Sequence, residues 1–396
     1  MPSRDKLPAH TRLLDNRTLL HDEGACLPLR SRHGQCRACA VACPVGALTV
    51  SVEAVELAES CIGCGRCTAA CPTQALALPE LAMLADPVPA VARSAMLRVE
   101  CRKVPADRLA TGTLVVPCLG ALTAGHLLAR QAAGIVVQIV DRGWCAGCEA
   151  GCTEAHPDHP AQAALDAAVL WLDAIGERRR PSIVREALPL DQRPSAMAPA
   201  AEETPRVDRR SFFREALQRP TGRQRPAAVP MGGSGRAAYP ANQRRPSPER
   251  ERQLAAAAVL AQAHETAMPA EMYPQLHVDG RCCDRRLCVA LCPTAALSVA
   301  DDGLAVHLQW SSERCIGCGT CVRGCPEVAI HLQAHGGRPG VQVLATHRRA
   351  CCPSCGDAFT PAPGQEEPDP SALCPTCTKS RRFMNDARRQ LFGELN

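Results

Sequence analysis

The sequence predicts an α+β chain. Two small cysteine-rich modules that repeat one another flank a small α/β unit and a disordered linker, and a cysteine knuckle follows. Three observations predict this. The pattern Cys-Pro-x-x-Ala-(Leu/Ile)-x-(Val/Leu) occurs four times, as Cys43-Pro44 to Val50, Cys71-Pro72 to Leu78, Cys292-Pro293 to Val299 and Cys325-Pro326 to Leu332. Residues 95–176 alternate β-branched runs with helical ones. Residues 177–250 shift to arginine and proline.

Taken in order, residues 1–20 are expected to form a loosely ordered leader. Met1 to Asn16 contains no apolar run of the kind a secretory signal needs. Residues 21–85 make the first module, where the alternation after each Cys-Pro reads as a short strand by its period of two. In 95–176, Leu97–Cys101, Thr113–Pro117 and Ile135–Val140 read as strands. Ala121–Ala133 and Ala161–Ile175 read as helices closed by Gly134 and Gly176. That alternation suggests a small parallel sheet. Eleven prolines lie between Pro181 and Pro248, a composition that cannot bury enough surface to fold alone. The Ala/Leu/Gln-rich run from Glu249 to Thr266 reads as a helix, which makes residues 251–270 a helical unit of their own. Residues 271–335 make the second module and 350–380 the knuckle.

Composition narrows the class. The 396 residues include 26 cysteines but only five phenylalanines, three tryptophans and two tyrosines. Small modules with so few aromatics need a metal or disulfide staple. Short C-x2-C runs suit metal ligation better than disulfide spans, and a reducing cytoplasm is the expected compartment. No run approaches about 18 apolar residues, so no membrane span is expected. The formal charge is +5, and its excess concentrates in the arginine-rich middle segment. With few aromatics there, an acidic protein partner suits it better than a base-stacking nucleic acid.

Two runs carry the strongest chemistry. Cys61-x2-Cys64-x2-Cys67-x3-Cys71-Pro72 and Cys315-x2-Cys318-x2-Cys321-x3-Cys325-Pro326 share one spacing. Three thiolates on one tight loop reach three corners of a cubane, and the fourth reaches the other cluster. Gly63, Gly65, Gly317 and Gly319 let the backbone curl close. The sequence here resembles the 2[4Fe–4S] bacterial ferredoxin family, over roughly residues 24–80 and 279–333. That resemblance implies that Cys43, Cys61, Cys64 and Cys67 hold one cluster. It implies that Cys292, Cys315, Cys318 and Cys321 hold another.

The partner sets are irregular. In the first module Cys36, Cys39 and Cys71 keep the frame, and the fourth ligand is either Cys26 or His33. Cys26 is preferred, because histidine ligation is chiefly a Rieske feature. In the second module Cys282, Cys288 and Cys325 keep the frame, but Arg285 occupies the second position. Cys283 could substitute through a distorted loop. Otherwise the site suits a three-iron [3Fe–4S] cluster or none. Two to four [4Fe–4S] clusters are therefore expected.

The α/β unit carries Cys101, Cys118, Cys145, Cys148 and Cys152, several at strand carboxyl ends, where ligands gather. It resembles the iron–sulfur delta subunit of the methyl-viologen-reducing hydrogenase family, which implies a [2Fe–2S] cluster. The Cys145-x2-Cys148-x3-Cys152 run departs from that family's wider pair, and buried thiols or a zinc site remain alternatives. Cys352-x2-Cys355 and Cys374-x2-Cys377 have the spacing of a four-cysteine zinc ribbon, with a rubredoxin-like iron site as the alternative. Cys351 is a spare thiol. Asp208–Arg214 looks like a twin-arginine core without an apolar run after it, either a docking segment or solvated linker.

These features predict an iron–sulfur electron-transfer subunit, without catalysis of its own, relaying single electrons between a partner redox enzyme and a second carrier. An assembly or docking factor, or a thiol/disulfide oxidoreductase using the middle cysteines, are the alternatives. Hydrolytic and phosphoryl-transfer motifs are absent.

Overall fold

The computed structural model describes residues 11–13, 18–85, 96–152, 157–193, 244–361 and 371–392. In the first module β1 (Thr11–Arg12) and β2 (Leu20–His21) precede α1 (Leu27–Arg30) and α2 (Ala38–Val41). The hairpin β3 (Leu48–Val50) and β4 (Val55–Leu57) follows, then α3 (Arg66–Ala70), β5 (Leu76–Ala77) and α4 (Ala82–Ala85). β2 pairs antiparallel with both β1 and β5. Part of the expected leader is therefore a strand.

Each Cys-Pro motif makes the same turn. The fourth residue is left-handed in all four copies: Gly46 at φ 62°, Gln74 at 51°, Ala295 at 55° and Val328 at 52°. The turn swings the next amide back onto the cysteine. The Ala47 amide donates to Cys43 Sγ at 3.2 Å, Ala75 to Cys71 at 3.2 Å and Ala329 to Cys325 at 3.5 Å. Such amide donors are the kind that orient a metal-ligating sulfur. The chain then enters a strand in every copy, as the period-two pattern predicts.

The middle unit is a parallel sheet of β6 (Met96–Cys101), β7 (Leu114–Val116), β8 (Val136–Asp141) and β9 (Ser182–Arg185), in the order β7-β6-β8-β9. α5 (Ala124–Ala132) and α6 (Gln162–Ile175) connect the strands. β9 falls within the expected linker of 177–250, which is thus corrected at its start. Its period-two signal is only four residues long, and Pro181 before it reads as a linker residue. The linker's other end is corrected too: α7 runs Pro248–Ala263, not 251–270. The Ser247 hydroxyl accepts from the Arg250 amide to start it, and its residues pack on α5 and α6. The segment Asp208–Arg214 lies outside the described residues.

α7 also completes α5. The Gly125 amide donates to Glu249 Oε1 at 2.7 Å, and the Thr123 hydroxyl to Oε2 at 2.8 Å. A carboxylate there satisfies orphan donors and opposes the helix dipole. Beside Cys101, fully buried Glu100 accepts Arg142 Nε at 2.7 Å and Nη2 at 2.9 Å. One apolar core runs from Leu48 and Leu76 of the first module through Val99, Leu128 and Ile139 to Leu260 of α7.

The second module has its own core around Leu276, Leu297, Leu308, Trp310 and Ile330. Its strands are β10 (Gln275–Val278), β11 (Leu297–Asp301), β12 (Ala305–Ser311) and β13 (Ile330–Gln333), with α8 (Leu287–Leu291) and α9 (Thr320–Arg323) between. β10 pairs with β13. β14 (Val341–Arg348) lies beyond the expected module end at 335 and pairs with β12, making a sheet β11-β12-β14. The knuckle hairpin β15 (Ala350–Cys351) and β16 (Ala358–Phe359) leads to an exposed helix, α10 (Pro375–Phe392), which extends well past the expected 380. Mixed helix and strand content agrees with the α+β expectation.

Candidate functional site

The two regular loops have one backbone shape. Gly63 (φ 60°), Gly65 (81°), Gly317 (67°) and Gly319 (67°) are all left-handed, which explains glycine at each. The irregular loop of the second module repeats this shape without glycine. Asp284 (φ 53°) and Arg286 (59°) stand left-handed on either side of Arg285. The loop keeps its ligand geometry although its second ligand is gone. Arg285 points outward, pairing with Glu327, and Cys283 joins the same pair. Cys283 lines the same small cavity as Cys282, Cys288 and Cys325, with its thiol in the Arg285–Glu327 pair.

The thiols sort into sets by what each one feels electrostatically. Cys26 is surrounded by Cys71, Cys39 and Cys36. Burial pushes the Cys26 thiol up to about 12, and those neighbours push the same way. His33 instead offers its backbone carbonyl to Arg323 Nε at 2.9 Å. Cys64 and Cys67 feel Cys43 and Cys61. Cys315 and Cys321 feel Cys292 and Cys318. Cys288 feels Cys282 and Cys325, with burial raising it to about 11. Ionising such crowded, buried thiols requires a compensating positive charge, which bound iron supplies.

Spacing separates clusters from single ions. A tetrahedral ion with metal–sulfur bonds of about 2.3 Å holds its sulfurs about 3.8 Å apart. Among the described residues, two groups have ligand atoms all within 4.8 Å of one another. One is Cys352, Cys355, Cys374 and Cys377, with Cys355 and Cys374 sulfurs 3.7 Å apart. The other is Asp141, Cys145 and His159. The module sets are wider than either, as a bulky cluster requires.

In the middle unit the parallel sheet gathers its thiols at one edge, as strand order predicts. Cys101 feels Cys148, Cys118 feels Cys101 and Cys148, and Cys145 feels Cys118, Cys101 and Cys152. Burial raises the Cys118 thiol to about 12. Lys103 Nζ donates to Cys148 Sγ at 3.3 Å, and His159 Nε2 lies 3.8 Å from Cys145 Sγ. Neither Lys103 nor His159 carries a sequence signal, because each meets its thiol only through the fold.

The sets are also linked to one another. Cys118 feels Cys64, and both pack with Ala150. Arg66 Nη1 donates to the Gly151 carbonyl at 2.9 Å and Arg102 Nη2 to that of Ile62 at 2.9 Å, which joins the middle unit to the first loop. Cys67 feels Cys39. Cys36 feels Cys318 of the second module, and Cys321 feels Cys288.

Comparison with known proteins agrees with this geometry. Residues 32–75 match the model of a 4Fe-4S dicluster domain, and residues 308–331 match that of a 4Fe-4S binding domain. A 90-residue stretch is 34% identical to the polyferredoxin-like subunit of an aliphatic sulfonate oxidoreductase from Pyrococcus furiosus. It covers 22% of this chain and 51% of that protein, so the chain spans about half the length of this curated relative. Part of each module thus matches a 4Fe-4S binding domain, which supports an iron–sulfur electron-transfer role. Among the described residues, no helix is long and apolar enough to cross a membrane.

Proposed function

We propose that this chain is the relay subunit of a larger redox complex, passing single electrons along a row of five cysteine sets. The row runs from Cys101/Cys118/Cys145/Cys148/Cys152 to Cys43/Cys61/Cys64/Cys67, then to Cys26/Cys36/Cys39/Cys71. It continues through Cys292/Cys315/Cys318/Cys321 to Cys282/Cys288/Cys325. The observations that support this reading are contacts joining neighbouring sets: Cys64 and Cys118 pack together with Ala150, Arg66 of the first loop donates to the Gly151 carbonyl, and Arg323 of the second module donates to the His33 carbonyl of the first. Cys67 also lies near enough to Cys39, and Cys321 to Cys288, for their charges to repel.

Iron–sulfur clusters supply one-electron chemistry over a range of about −700 to +450 mV. The protein's part is to hold them in a row and to tune each through amides and charges. In this reading [4Fe–4S] clusters occupy the three complete module sets, with Cys26 as a ligand and His33 not. The Cys282 set takes a three-thiolate cluster, [3Fe–4S] or an open [4Fe–4S], and Cys283 is not a ligand. The middle set takes a [2Fe–2S] cluster. Cys352, Cys355, Cys374 and Cys377 take zinc, since their spacing suits one tetrahedral ion.

The partner is a catalytic redox subunit, the role suggested by the relative's oxidoreductase name. An acidic docking face on that partner would complement α10. This exposed helix carries Lys379, Arg381, Arg382, Arg388 and Arg389 beside outward-facing Phe383, Met384 and Leu391. A continuous row predicts spin coupling between modules in the reduced full-length protein by electron paramagnetic resonance. Cys318→Ser should abolish the inter-module part of that coupling. Spectra of isolated, non-interacting clusters in the wild-type protein would refute the row.

A further inference from the structure

The set of Cys282, Cys288 and Cys325 is the end of the row and its only module set without four thiols among the described residues. A small cavity at this point is lined by these three cysteines, by Cys283, whose thiol meets Arg285 and Glu327, and by Leu308, Ile330 and His347. His347 does not belong to the repeated module. It comes from β14, the added strand, where it pairs across from Val306 of β12. That strand brings its ring to the cluster loop: His347 Nε2 lies 3.4 Å from Cys282 Sγ.

The other polar side chains around the cavity are already engaged. Asp284 is held by Arg286 at 2.9 Å and by the Thr360 hydroxyl at 3.2 Å. Glu327 is held by Arg285. Glu327 Oε2 also lies 4.0 Å from Cys325 Sγ, but an ionised carboxylate has no proton to donate to a thiolate, which leaves the imidazole as the N–H donor beside a ligand sulfur. Ligation of a separate iron is a poorer fit, because ligands on different irons of a cluster stand farther apart than a hydrogen bond.

We propose that His347 is a positioning residue for the terminal cluster, donating its Nε2–H to the Cys282 thiolate and so raising that cluster's reduction potential. This rests on the reading that Cys282, Cys288 and Cys325 hold a cluster. Donation to a ligand sulfur offsets its negative charge, and reduction adds negative charge to the cluster. The bond is therefore stronger in the reduced state and favours it. An electron arriving along the row would then be stabilised at its outer end. The strand that supplies the histidine lies outside the ferredoxin repeat, so this adjustment is specific to the second module.

The test uses full-length protein with clusters assembled anaerobically, followed by redox titration monitored by electron paramagnetic resonance. His347→Leu should lower the midpoint of one cluster only. The expected size is about a tenfold loss in the reduction equilibrium constant, or about 59 mV for one electron. Iron and sulfide content should stay unchanged. His347→Gln keeps an N–H donor and should restore much of the shift, and it serves as the readout if the leucine variant does not fold. Unchanged midpoints in both variants would overturn the proposal. Strong nitrogen coupling in the wild-type spectrum, with loss of iron in His347→Leu, would overturn it in favour of ligation. Cys288→Ser separates the two readings: if it leaves iron and sulfide unchanged, no cluster resides at this set.

Discussion

Gly65 and Gly317 are both glycines of the two regular loops, Gly65 just after the second cysteine of its run and Gly317 just before the second cysteine of its own, and their surroundings differ in a way that can be measured. A Cβ added at Gly65 would lie 2.9 Å from Ala121 Cβ, 3.0 Å from Leu78 Cδ1 and 3.3 Å from Leu81 Cδ1. A Cβ added at Gly317 would meet nothing within 4 Å. Both residues are left-handed, at φ 81° and 67°. Gly317→Ala therefore carries only the left-handed cost, about 1–2 kcal/mol. Gly65→Ala adds overpacking against the core that joins the first module to the middle unit, about 1–3 kcal/mol more. The total for Gly65→Ala is about 2–5 kcal/mol. Cluster proteins commonly unfold irreversibly, so the comparison belongs at one fixed scan rate. The assay is bleaching of the visible cluster absorbance on heating, under anaerobic conditions. Gly65→Ala should bleach well below Gly317→Ala, and Gly317→Ala modestly below wild type. Equal bleaching temperatures for the two variants would refute the reasoning, because the middle unit would then exert no steric pressure on the loop.

Three further outcomes follow from local structure. Val328 is β-branched, left-handed and exposed, so Val328→Gly should stabilise the second module by about 1 kcal/mol, the strain relieved less the entropy of glycine; a lower bleaching temperature would contradict this. Burial alone would raise the Glu177 carboxyl, but Arg179 and His264 outweigh it and hold it down at about 2. The stability it contributes is therefore fully present above its ordinary value of about 4.3 and lost as pH falls through about 2. Glu177→Gln should flatten the acid limb of a stability–pH curve across that window, and an unaltered limb would count against it. Cys355→Ser should lower bound zinc by about one ion per chain while iron stays constant, as read by elemental analysis; iron lost in parallel with zinc would place the knuckle in the cluster system instead.

The module sets were legible because their information is local. The C-x2-C-x2-C loops need glycine at fixed offsets, and Cys-Pro followed by an alternating run marks the strand that leaves each cluster. The parallel sheet was legible for a similar reason, since β6, β7 and β8 are β-branched runs separated by helical ones. What lay hidden depends on contacts distant in sequence. β9 reads as linker because it is short and follows Pro181, and it becomes a strand only by pairing with β8. β14 has no cysteine and lies past the last Cys-Pro motif, so His347 carries no signal that it meets Cys282. Gln74 and Val328 occupy left-handed turns with none of the glycine signature that Gly46 displays. Ligand chemistry favours Cys26 over His33 in the sequence, and the fold places Cys26 near Cys36, Cys39 and Cys71. Cys283, an alternative ligand in the sequence, lines the same cavity as Cys282, Cys288 and Cys325, and its thiol meets Arg285 and Glu327.

The loop around Arg285 retains its mould after losing a ligand. Asp284 and Arg286 are left-handed where the intact loops use glycine, so the shape is imposed by the surrounding fold and not by metal at that corner. The way back is correspondingly short. A single Arg285→Cys exchange would place a sulfur on a backbone already curved to receive it, and the outward-facing guanidinium gives up its pair with Glu327 and its contact with Cys283. If the Cys282 set holds the proposed cluster, this scaffold would serve three thiolates or four, and a single residue would set which cluster ends the row.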